Sequence, residues 1–160
     1  MVRDNLGMNY TCEAVIGAVS GLRSFTGPAI VAEAAHRHIL KLDKTPLSWL
    51  GSDGAAKTAM ALAVGELIAD KLPFMPSRTD PPGLVARFIA GAVCGAAVAS
   101  KRTRNDRIMS ALVGGTAAVA AAYAGHQYRK HVRLPAFAAA LLEDVVAVSA
   151  GTAIIARVCP

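Results

Sequence analysis

Aromatic side chains are scarce in this chain, at 5%, and charged ones make up only 18% of its 160 residues. A soluble domain usually carries about 25% charged residues, so the chain is short of the polar surface that water demands. Cysteine is nearly absent as well. Cys12, Cys94 and Cys159 are odd in number and far apart, with no CxxC pair. That excludes a disulfide framework and a cysteine-built metal site, and the three read as small buried apolar residues. No P-loop, dinucleotide fingerprint, nucleophile elbow or HExxH motif occurs; neither catalytic residues nor a cofactor nor a metal is expected, and the chain does not read as an enzyme. His36, His38, His126 and His131 stand beside Arg and Lys without cysteines or an acidic cluster, which suits headgroup contact better than metal ligation. The opening residues lack a cleavable signal pattern, because Asp4 and Glu13 interrupt them. Positive charge is in excess, at a formal +6. No basic patch is interleaved with aromatics for base stacking, so nucleic acid is not an expected partner.

What is abundant is small and apolar: 54% of residues are hydrophobic and the mean hydropathy is +0.42. Residues 108–125, IMSALVGGTAAVAAAYAG, run for 18 positions without a charge, between KRTRNDR and HQYRKHVR. An uncharged run of about 18 or more reads as a transmembrane helix, and basic flanks match lipid headgroups at both ends. Four more apolar segments are each long enough to cross, or nearly cross, a hydrocarbon core of about 30 Å. The expected fold is therefore all-α: one integral membrane domain over residues 1–160, a polytopic bundle of about five spans at residues 10–35, 54–72, 83–100, 108–128 and 135–158. Membrane lipid is its expected surroundings. Trp49, in the connection before the second span, suits the headgroup belt. The stretch LPFMPSRTDPPG holds four prolines and cannot be helical throughout. With five spans, a small excess of Lys and Arg favours the side holding Arg37, Lys41, Lys44 and the KRTRNDR loop as cytoplasmic.

Charges inside the spans are the candidates for function, because an ionisable group in lipid is costly and faces a partner or a water-filled cavity. Glu66 and Asp70 are four apart and share one helix face. Glu143 and Asp144 lie near the middle of the fifth segment, and adjacent residues point about 100° apart, so the two cannot serve one small pocket equally. Arg23, in the first segment, is the natural cationic partner. The expected polar cluster is thus Arg23, Glu66, Asp70, Glu143 and Asp144. It reads either as a transport site or as an ion pair that fixes helix register. Arg87, near the start of the third span, is expected to snorkel to the interface.

In GLRSFTGP, residues 21–28, Gly27-Pro28 removes an amide donor while Ser24 and Thr26 offer replacement hydrogen bonds. These four residues mark either a broken helix, of the kind that binds ions at membrane depth, or an ordinary proline kink. Gly17 with Gly21, and Gly91 with Gly95, form small-xxx-small faces for close helix contact within the bundle, with a second copy or with a membrane-complex partner. A weak internal echo aligns residues 18–38 with 111–131, matching Ala18/Ala111, Gly21/Gly114, Ala29/Ala122 and His38/His131. Two spans, a connector and two more spans would make such an echo an inverted repeat.

The segments GLRSFTGP, GELIADKLPFMPSRTDPPG and LLED together resemble a family of small bacterial membrane proteins, domain of unknown function 4126. The resemblance runs from about residue 17 to 158 and is most specific in the E-x-x-x-D-K-x-P pattern of Glu66, Asp70, Lys71 and Pro73. It implies a multi-span protein of the bacterial inner (cytoplasmic) membrane and implies no reaction. The expected function is a small transporter or channel for an ion, a proton or a small solute. The alternative is a non-transporting structural or accessory subunit of a membrane complex.

Overall fold

A computed structural model of the chain describes residues 10–43, 45–69, 80–131 and 136–158. The described residues are all-α: α1 (Thr11–Leu22), α2 (Thr26–His36), α3 (Asp53–Ala69), α4 (Pro81–Val98), α5 (Arg104–His131) and α6 (Ala136–Val158), with a 3-10 turn at Ser48–Gly51. α4 and α5 are long and apolar enough to cross a membrane.

The first apolar segment, expected as one span over residues 10–35, is two short helices of 12 and 11 residues. Arg23 is extended, at φ −139° and ψ 111°, and ends α1. The cause lies downstream. Continuing the helix through Pro28 would drive its ring into the Ser24 carbonyl and forfeit a hydrogen bond. Placed instead in the first turn of α2, Pro28 lacks only an N–H that has no helical partner there anyway. α2 then doubles back along α1: a side chain at Gly27 would meet Ser20 and, at 3.4 Å, the Ile16 carbonyl. In one straight helix residues 16 and 27 would be about 16 Å apart. The pair is a helical hairpin, and each arm, about 16–18 Å long, is too short to span a hydrocarbon core of about 30 Å.

Close backbone contact sets the rest. Gly17 of α1 lies against the backbone of Gly114, and Gly21 against that of Ala118, in ascending register, so α1 and α5 run parallel. Gly91 meets the same Gly114 backbone and Gly95 meets Ser110, in descending register, so α4 is antiparallel to α5. A Cβ at any of these four glycines would collide with backbone, which is why the three helices pack only with small residues at the seam. α6 runs antiparallel to α1, with Gly151 against Val19 and Ile30, and α3 packs on α2. The core gathers Ile16, Val31, Ala35, Cys94, Val98 and Ile155.

Two expectations change with the hairpin. The five-span reading sets the start of the first segment and the connection at residues 37–52 on opposite sides, whereas the doubled-back chain brings both to one end. That end also holds the α4–α5 loop and is called the basic end below; the Arg23–Phe25 turn faces the other. The aligned echo likewise pairs a hairpin with a continuous helix, and α1 and α5 run the same way, where an inverted repeat needs opposite directions.

The seam is directly testable. Gly21→Ala should destabilise the protein by about 1–3 kcal/mol, the usual cost of overpacking. Gly65→Ala, at a position with nothing within 4 Å, should instead stabilise it by roughly 0.5–1 kcal/mol through helix propensity. Thermal unfolding of the two variants in detergent reads both signs.

Candidate functional site

The hairpin turn collects the charges that sequence reasoning singled out, in pairings of its own. Arg23 is completely buried. Its guanidinium forms an ion pair with Asp144 of α6 and reaches the Ala140 carbonyl at 3.5 Å. Glu66, near the end of α3, does not pair with Arg23. Its two carboxylate oxygens accept from the backbone N–H groups of Ser24 at 2.7 Å and Phe25 at 2.9 Å. These are amides that the break leaves without helical partners. The carboxylate thus caps the positive end of α2, while Arg23 follows the negative end of α1, so both charges complement the helix dipoles.

Asp144 faces Arg23 on α1, and Glu143, 6% exposed, lies toward α5, with an oxygen 3.7 Å from where a Gly125 Cβ would stand. Asp70, with Lys71 and Pro73, lies outside the described residues. Of the broken-helix candidates, Ser24 sits in the turn and Thr26, Gly27 and Pro28 open α2. The Thr26 Oγ1 is buried and has no hydrogen-bond partner among the described residues.

Arg87 corrects one expectation. It does not snorkel; it is 7% exposed and its Nε donates to the Ser24 hydroxyl at 3.1 Å. The signal was present in the spacing, because Arg87 stands four residues before Gly91 and eight before Gly95. It therefore shares the face of α4 that packs inward. The same rule locates a residue that sequence reasoning passed over. Glu13, four residues before Gly17, is 1% exposed. At the basic end it meets Arg102 at 3.0 Å and the Ser110 hydroxyl at 3.4 Å, and the Arg102 guanidinium lies over the Tyr10 ring.

The turn is recessed within the bundle. α4 begins six residues before Arg87, α6 begins eight before Asp144, and α5 continues six past Gly125. At a rise of about 1.5 Å per residue, these helices extend roughly 9–12 Å beyond the charged cluster. A carboxylate in such a place binds a proton or a cation in exchange for its arginine, or it holds the arginine and locks the helices. Among the described residues no group of His, Cys, Asp and Glu is arranged to hold a metal ion.

Removing one partner of a buried pair separates these cases energetically. Asp144→Ala should cost about 3–5 kcal/mol by stranding the buried guanidinium, and the double change Arg23→Met with Asp144→Leu should recover much of that loss. Glu66→Gln, which keeps one good acceptor for the two amides, should cost about 1–2 kcal/mol, as the loss of a helix cap does. Equilibrium unfolding of the single and double variants checks both.

Comparison with known proteins places the geometry in a family context. No curated protein and no solved structure matches the chain significantly. A family profile, described as a domain of unknown function, matches residues 12–157, which take in all but the first residue of the hairpin, its turn and every ion pair above. The chain belongs to domain of unknown function family 4126.

Proposed function

We propose that the protein is a small integral membrane protein that moves an ion, a proton or a small solute past the hairpin turn. The observation that carries this reading is the half-length hairpin itself, whose tip ends inside the bundle and bears the buried Arg23–Asp144 pair. A segment of about 10–14 residues is typical of re-entrant and core pieces rather than spans, and helix ends at membrane depth are where transporters place their ion and substrate sites.

The membrane location draws support from what the long helices expose. Only 28% and 33% of the most apolar stretches of α4 and α5 are buried, whereas the core helix of a soluble bundle would be covered over most of its surface. Val145, Val146 and Leu142 of α6, Ile68 and Val64 of α3, and Ile89 and Val85 of α4 are all exposed large apolar residues. Exposed large apolar residues on three helices suit lipid. A bacterial inner membrane is the setting that the family resemblance implies.

In the transport mechanism Asp144 releases Arg23 as it takes up a proton or cation. Glu66 stays on the α2 amides and keeps the turn in place. Arg87 holds Ser24 from the opposite side. One observation favours the alternative, a non-transporting accessory subunit: Arg23, Glu66 and Arg87 each have a close partner within the fold, as a register-fixing lock requires.

Flux into liposomes decides between them. The reconstituted protein should carry proton or cation flux, and Asp144→Asn should abolish it while folded yield in the membrane is retained. Glu66→Gln should lower flux and stability together, because it loosens the turn. Absence of flux under every imposed gradient would favour the subunit, which should then co-purify with a stoichiometric partner.

A further inference from the structure

The basic end carries a feature that the transport reading does not use. A groove of about 390 Å³ opens there on the outer face of α4 and α5. Ala92 and Ala96 of α4 and Ala111 of α5 form part of its apolar floor, and Leu47 of the preceding connection, Arg104 and Arg107 line it too. The two arginines occupy the first turns of α5, where positive charge opposes the helix dipole, so helix stability does not account for them. Arg102, from the same loop, turns inward to Glu13. Arg104 and Arg107 have no ion-pair partner among the described residues, and Asp106 between them is engaged by the Thr103 hydroxyl at 2.6 Å. Trp49, 60% exposed, lies at the same end of the bundle, as residues at headgroup level do.

We propose that this groove binds one anionic phospholipid. Its phosphate sits on Arg104 and Arg107, assisted by the α5 N-terminus, and one acyl chain lies along the alanine floor. The charge argues for an anionic headgroup, because a zwitterionic one brings its own cation to two arginines. The floor argues for a lipid, because a free phosphate gains nothing from apolar contact. The groove runs about 10 Å along α5 from Arg104 to Ala111, enough to seat the upper part of a chain. This inference rests on the membrane location and not on transport.

The test is native mass spectrometry of the purified protein with phosphatidylglycerol and with phosphatidylcholine, after liposome flotation has confirmed insertion. Phosphatidylglycerol should be retained in preference. Arg104→Gln with Arg107→Gln should weaken its binding about fivefold per arginine, so about 25-fold in all. Lys57→Gln with Arg157→Gln, an equal change of charge away from the groove, should leave the preference intact. Ala96→Phe, which fills the floor, should weaken both lipids. Equal retention of the two lipids by the unaltered protein, or equal losses in the two paired variants, would overturn the proposal. So would competition by soluble glycerol phosphate as strong as that by the lipid. A protein that fails to float would overturn the membrane reading along with it.

Discussion

The structure depends on backbone meeting backbone. α1 and α4 both approach α5 so closely that Gly17, Gly21, Gly91 and Gly95 have no room for a methyl group. Van der Waals contact of this kind is made possible by small residues at the seam. It also sets register. Once Gly17 sits on Gly114 and Gly21 on Ala118, Glu13 is brought to Ser110 at one end and Arg23 is delivered to the turn at the other.

A helix of 12 residues gains less from packing than a full span, and the bundle compensates by tying down its end. Arg23 binds Asp144 on α6, Ser24 accepts from Arg87 on α4, and the amides of Ser24 and Phe25 are taken by Glu66 on α3. Three helices therefore reach one turn with three different kinds of polar contact. Each interaction satisfies a group that burial would otherwise penalise, whether a charged side chain or a backbone N–H exposed by the break. The arrangement is stable as it stands, yet any one of these contacts can be exchanged for a proton, an ion or water.

The two ends of α1 differ in a way that bears on the same point. At the basic end Glu13 is held by Arg102 from a surface loop, whose guanidinium lies over the Tyr10 ring. At the turn the corresponding charges come from helices and lie about 9–12 Å inside the bundle ends. A polar site at one end is thus guarded by a loop and at the other is recessed among helices, with a seam of glycine and alanine between them.

How much of this was legible beforehand follows from the physics of each element. By itself the sequence determined the all-α class, the apolar character of the long helices, the closeness of packing at the Gly faces and the presence of charges that need partners, because these follow from composition and from spacing at helical period. It also marked residues 21–28 as a place where a helix is weakened, through Gly27 and Pro28. Only the tertiary structure decided that the weakness becomes a full reversal. A kink and a hairpin satisfy the same local constraints; the hairpin packs α2 on α3, α4 and α6 and leaves two amides free for a carboxylate 42 positions away along the chain, Glu66. The same holds for the partner of Arg23: Glu66, Glu143 and Asp144 are equivalent in charge, and it is the antiparallel packing of α6 on α1 that brings Asp144 to the guanidinium. Pairing partners are a property of register between helices, and register is set by contacts that no single segment contains.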